Sequence, residues 1–87
     1  MQTTMNLLQR ALAIEPAPYW HKKLGLSRNA LHSAKQRGNL SPAIAGEIAS
    51  ELGENYEHWV MIAAAESERD SACKERMLKR LRIAAKS

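Results

Sequence analysis

Apolar positions along the chain recur at three- and four-residue spacing and never alternate for long, which predicts helices and no strands. Leu7, Leu8, Ala11 and Leu12 form one stripe of a helix over residues 4–15, with Thr4 as its expected N-cap. Pro16 and Pro18 end it, because proline disfavours helical geometry in the residue before it. A short second helix, opening at Pro18 or Tyr19 and running to Leu24, stops at Gly25. Ser27 is the expected cap of a third helix over 28–37, closed by Gly38 and Asn39. Ser41 and Pro42 open a fourth helix as cap and first helical residue, with Ile44, Ile48 and Leu52 inward and Gly53 as its stop. A fifth helix over 56–67 carries Trp59, Ile62 and Ala63 inward. A last helix over 71–85 places Cys73, Met77, Leu81 and Ala84 on one line and is otherwise basic. The expected fold is all-α: a compact bundle of five or six short helices.

Composition narrows the picture. With 87 residues the chain has room for one modest core. It holds two Trp, two Tyr and no Phe, so aliphatic side chains and alanines must fill that core, with Trp20 and Trp59 as anchors. His21 is expected to be a core or interface histidine. A single cysteine excludes an internal disulfide, and Cys73 is expected to be a buried structural thiol. The start of the chain lacks the basic opening and apolar run of a signal peptide, and the longest apolar run, 60–65, is too short to span a bilayer. These features predict a soluble cytoplasmic protein without membrane contact. His21, His32, His58 and Cys73 match no zinc-ligand spacing. No glycine-rich phosphate loop or paired-carboxylate signature is present, so the expectation is no metal, no cofactor, no small-molecule ligand and no enzyme activity.

Charge is unevenly distributed. Residues 16–46 carry Lys22, Lys23, Arg28, Lys35 and Arg37 and no acid; residues 47–70 carry seven acids against Arg69; residues 71–87 carry six bases against Glu75. An acid-free basic block beside an acidic one implies one face that meets a polyanion and one that does not.

The basic block contains the sequence YWHKKLGLSRNALHSAKQRG. It reads as a helix, a glycine, a small residue and a second helix, the parts of a helix-turn-helix over about 19–37. Two helices crossing at roughly 90–120° need a short turn between them, which Gly25 permits and Leu24 and Leu26 pin to the core. At about 100° per residue, Ala30, Leu31 and Ala34 share one side of the second helix, and Arg28, Asn29, His32 and Gln36 share the opposite side, flanked by Ser33 and Lys35. Arg, Asn and Gln carry paired donors and acceptors that match guanine and adenine edges in the major groove. Arg28, Asn29, His32 and Gln36 are therefore the candidate base-contacting residues.

At this point the chain resembles the lambda-repressor-like helix-turn-helix regulators, the Cro and repressor class of phages and prophages. The resemblance lies in Leu24-Gly25-Leu26-Ser27, then Leu31, Gly38, Pro42, Ile48-Ala49 and Leu52-Gly53, with Lys35-Gln36-Arg37-Gly38 matching a phage and prophage subgroup. It covers about residues 5–65. His21 stands where the family usually has alanine, and Ala34 where it often has a larger apolar residue; Trp20 is the candidate to supply the volume. The resemblance implies a DNA-binding domain over residues 1–69, its second helix across the phosphate backbone and its third in the major groove. It implies Lys22, Lys35, Arg37, Asn39 and Ser41 as phosphate contacts, with Lys23, Ser27 and Ser33 as further candidates. It implies a cytoplasmic repressor, in a bacterial or phage-infected cell, that binds an operator in double-stranded DNA as a homodimer. The basic amphipathic segment 70–87 then packs on the domain or serves dimerisation, and Trp59, Ile62, Met77 and Leu81 are the expected dimer contacts.

Two other classes fit parts of the sequence. A phage-encoded inhibitor or adaptor would use the acidic stretch 47–70 and the apolar line of the last helix to grip a protein. An excisionase-like architectural protein would bend DNA with little sequence preference.

Overall fold

The computed structural model describes residues 3–86, and the side chains of residues 3–81. Its described residues form six helices and no strand: α1 (Thr4–Ile14), α2 (Ala17–Leu24), α3 (Ala30–Arg37), α4 (Pro42–Glu51), α5 (Tyr56–Ser67) and α6 (Ala72–Lys86). The all-α expectation holds. None of these helices is long and apolar enough to cross a membrane.

Helix α1 opens at Thr4, and its cap lies one residue before the expected one. Thr3 is the N-cap, its hydroxyl accepting from Asn6 N at 3.2 Å while Asn6 Oδ1 accepts from Thr3 N at 3.0 Å. Thr4 is instead fully buried, and its hydroxyl faces the body of the protein. Leu7, Leu8 and Ala11 are buried as the stripe predicts, with Leu12 at its half-buried edge. After Pro16, helix α2 turns back under α1. The Trp20 indole is buried, and its Nε1 donates to Ala11 O at 3.0 Å and Glu15 O at 3.2 Å. Ala11 O also accepts from Glu15 N at 3.1 Å, so the ring adds a second donor there and reaches Glu15 O just past the end of α1.

The largest internal contact joins α4 and α5, with α1 laid across both and α6 packed on α5. Ser41 caps α4 by accepting from Ile44 N, with Pro42 as its first residue, as expected. The buried line of α4 is Ala45, Ile48 and Ala49; Ile44 and Leu52, expected inward with Ile48, are only half-buried at its margins. Gly46 lets α5 come close, since a Cβ there would stand 2.7 Å from both the Tyr56 ring and Val60 Cγ2. Trp59, Ile62 and Ala63 of α5 point inward as predicted.

Helix α6 corrects two expectations. Its apolar line does not reach the core along its whole length: Cys73 is exposed, Met77 and Leu78 are half-buried, and Leu81 is buried. The first turn of α6 stands off the body, so Cys73 is no buried thiol. Ala84 lies outside the described side chains. The expected dimer contacts also change, because Trp59, Ile62 and Leu81 are 3%, 2% and 1% exposed within their own chain. They are consumed by the core and leave no area for a twin. Met77 alone of that set keeps some exposure.

Candidate nucleic-acid interface

Helices α2 and α3 touch each other and are joined by residues 25–29. Gly25 ends α2 in the left-handed conformation, φ 67°, and the amides of Gly25 and Leu26 both return to His21 O. A left-handed residue is the ordinary way to end a helix sharply, and glycine adopts it without a Cβ penalty. Leu24 and Leu26 are half-buried on either side of it, as the turn requires.

Helix α3 begins later than the sequence indicates. Ser27 does not cap it; Ser27 O accepts from Ala30 N at 3.1 Å, closing a turn through Arg28 and Asn29. Asn29 occupies the cap position without a side-chain hydrogen bond. Arg28 and Asn29 therefore sit in the turn, so helical phase no longer fixes where their side chains point. Phase does hold from Ala30 onward. Leu31 and Ala34 are buried at 1% and 0% exposure, while His32 and Gln36, on the far side, are exposed. Arg28 and Asn29 are exposed as well. A polar, acid-free surface thus runs from the turn along the outer face of α3.

The expected phosphate contacts divide into three groups. Lys22, Lys35 and Arg37 are exposed, and no carboxylate pairs with Lys22, Arg28, Lys35 or Arg37 among the described residues. Lys23 is drawn toward α4, its Nζ 3.9 Å from a Glu51 carboxylate oxygen. Exposed pairs of this kind are worth about 0–1 kcal/mol, so the contact directs Lys23 without immobilising it. Ser27 is exposed, and Ser33, Asn39 and Ser41 are half-buried. The Ser41 hydroxyl oxygen accepts from Ile44 N, which leaves its hydrogen able to donate. Lys35 also borders a groove of about 510 Å³ along α1, lined by Met5, Leu8, Gln9, Leu12 and Ala13. His21 is half-buried, and its Nε2 is enclosed without a hydrogen-bond partner.

Two polar clusters behind this surface have no sequence signature. In the first, Arg10 donates to Glu54 through both terminal nitrogens, Trp59 Nε1 donates to Glu54 Oε1 at 3.1 Å, and the guanidinium lies 5.7 Å from the Trp59 ring centre. The hydrogen bond from Arg10 holds the Glu54 carboxyl below the usual carboxylate range, against a smaller opposing effect of burial, and the Trp59 bond assists it. In the second, Thr4 bridges Glu66 and the α3–α4 loop. Their partners are separated by 44, 62 and 36 residues, and no local pattern announces pairings of that range. Of the acids of 47–70, Glu51 pairs with Lys23 of α2, and no described ion pair joins any of them to Arg28, Lys35 or Arg37.

Compared with family models, curated proteins and solved structures, the chain matches none.

Proposed function

We propose that this chain is a sequence-specific regulator of transcription that binds double-stranded DNA through a helix-turn-helix formed by α2 and α3, in the manner of a cytoplasmic Cro-like phage or prophage repressor. One observation carries the reading. His32 and Gln36 are exposed opposite the buried Leu31 and Ala34, Arg28 and Asn29 are exposed in the turn before them, and none of the four is an acid. Residue types with paired donors and acceptors are what base edges in the major groove require. Unpaired Lys22, Lys35 and Arg37 around it supply the phosphate attraction that gives affinity and salt dependence. Regulators of this kind work as dimers on half-sites about one helical turn apart. A dimer of this chain has to use surface other than Trp59, Ile62 and Leu81.

Gel-shift titration against DNA from upstream of the chain's own gene, with a scrambled duplex as control, tests the proposal. Arg28→Ala and Gln36→Ala are expected to reduce discrimination by about 1–3 kcal/mol each. Lys22→Ala is expected to weaken all duplexes alike and to reduce the salt slope by about one. Equal binding of both duplexes by the unaltered chain would sink the sequence-specific reading.

A second reading, a module that grips another protein, draws on exposed apolar side chains: Ile14 at 65%, with Tyr56 and Met61 each at 43%. Stoichiometric capture of one protein, together with no DNA shift at low salt, would favour it.

A further inference from the structure

Thr4 is the fully buried polar side chain of the described core. Its surroundings join three parts of the chain that are distant in sequence. Glu66, in the last turn of α5, accepts from Thr4 N at 2.8 Å through Oε2 and from the Thr4 hydroxyl at 2.5 Å through Oε1. The same hydroxyl oxygen accepts from Leu40 N at 2.9 Å. Leu40 lies between Asn39 and Ser41 in the loop joining α3 to α4, and its side chain is fully buried.

This arrangement does more than satisfy one amide. A free hydroxyl turns about its bond and presents its lone pairs in several directions. Here the carboxylate takes the hydroxyl hydrogen, so the lone pair is fixed toward Leu40. An acceptor that is itself donating to a charge is also a stronger acceptor. The rest of the loop is held in the same inward sense. The amides of Gly38 and Asn39 return to Ala34 O at 2.9 and 3.2 Å, and Ile44 N donates to Ser41. With its main-chain donors directed inward, the loop keeps the Asn39 side chain and the Ser41 hydroxyl hydrogen for an external partner.

We infer that Thr4, oriented by Glu66, is a positioning residue that sets the α3–α4 loop for contact between Asn39, Ser41 and a DNA phosphate. The inference rests on the DNA-binding reading above. It assigns a role in binding to two residues, on α1 and α5, that lie outside the helices proposed to meet DNA.

Thr4→Val keeps the shape and removes both hydroxyl bonds; Thr4→Ser keeps the bonds and removes a methyl group. Binding to a mixed-sequence duplex is measured against salt for the full chain and both variants, with amide hydrogen exchange at Leu40. Thr4→Val is expected to speed Leu40 exchange selectively, lower affinity by about threefold to tenfold and reduce the salt slope by about one phosphate. Discrimination between sequences is expected to stay unchanged, and Thr4→Ser is expected to restore all three quantities. A folded Thr4→Val chain with faster Leu40 exchange but the original salt slope would overturn the positioning role and leave DNA binding intact. Should Thr4→Val not fold, Glu66→Gln serves, since it keeps a hydroxyl at Thr4 and removes the carboxylate that orients it. A reduced slope in that variant supports the inference, and an unchanged slope overturns it. An unaltered chain that shifts no duplex at low salt overturns the DNA reading and this inference together.

Discussion

The α4–α5 pair and the α2–α3 pair are built on opposite principles. In the first, a line of small and branched side chains (Ala45, Ile48, Ala49, Ile62, Ala63, Ala65) is fully or nearly fully buried, and Gly46 permits close contact. In the second, two eight-residue helices contribute only Trp20, Leu31 and Ala34 to the core, and neither N-cap makes a side-chain hydrogen bond. Short helices gain little from propensity alone, so α2 and α3 depend on tertiary contact. The difference teaches where the chain places stability and where it leaves side chains free. The weakly built pair presents the acid-free surface; the strongly built pair carries the acids.

If that contrast is right, α2 hangs on one ring. Trp20→Ala removes a buried indole and its bonds to Ala11 O and Glu15 O. The expected loss is about 3–5 kcal/mol, a large share of the stability of a small domain. Urea unfolding followed by far-UV circular dichroism measures it. A loss under about 1.5 kcal/mol would show that α2 and α3 are held by contacts other than Trp20, and the contrast would fail.

The strongly built pair is probed by crowding it. Gly46→Ala gains about 1 kcal/mol of helix propensity, because glycine is a poor helix former. Against this, the added methyl stands 2.7 Å from Val60 Cγ2 and the Tyr56 ring. Tyr56 is 43% exposed and can move aside, but Val60 is short and stiff at χ1. Overpacking costs about 1–3 kcal/mol, so the net expectation is a loss of up to about 2 kcal/mol. Gly46→Ala combined with Val60→Ala is expected to recover part of it. A higher melting temperature for Gly46→Ala alone would mean that α4 and α5 are packed less tightly than their separation implies.

A smaller effect, and one with a pH signature, belongs to Glu54. Its carboxyl is held below the usual range chiefly by the Arg10 hydrogen bond. A group with a depressed folded value stabilises the fold above its unfolded value and loses that contribution as pH falls through the folded one. The pair therefore supports the fold at neutral pH and stops doing so in acid, below the ordinary carboxylate range. Both side chains are partly exposed, at 43% and 30%, so solvent screening limits the contribution to about 0.5–1 kcal/mol. Arg10→Met keeps an apolar stem over Trp59 and removes the charge. The gap in urea midpoint between this variant and the parent chain is expected to close as pH falls below the carboxylate range. A gap that persists in strong acid would assign the effect to packing on Trp59 instead.

The same contrast explains which elements the sequence specifies locally. The bounds of α4 and α5 were legible because their signals are local: Ser41 and Pro42 start one, Gly53 follows it, and Trp59, Ile62 and Ala63 keep helical spacing. Thr4 and Ser27 depart from the capping role the sequence predicts for a common reason. Each is a hydroxyl residue near a helix start, and sequence does not say whether such a hydroxyl turns to its own helix or elsewhere. At Thr4 the competing partners are Glu66 and Leu40 N, and at Ser27 a turn through Arg28 and Asn29 delays the helix. Leu81 and Cys73 share a stripe of α6 yet differ in burial, because periodicity assigns a face and not the distance of each turn from the core. On α3 the face was legible from Ala30 onward, and its link to Thr4 and Glu66 was not.

The smallest expected effect bears on the exposed face itself. His32 and Gln36 are exposed on α3, and no hydrogen bond joins either side chain to another described residue. Replacing each with alanine removes no described contact and slightly favours the helix, since alanine is the better helix former. The stability change is expected to stay within about 0.5 kcal/mol, measured by urea midpoint for each variant and for the pair. The pair is expected to depart from additivity by no more than about 0.5 kcal/mol, the size of coupling between neighbours four residues apart on one helix face. This near-silence is informative when set beside the Trp20→Ala loss. A helix pair whose inward side is costly to alter and whose outward side is free to alter has its outward residues available for a partner. A loss above about 1 kcal/mol at Gln36 would instead give that side chain a structural task, and the claim that α3 holds its polar face in reserve would lose its ground.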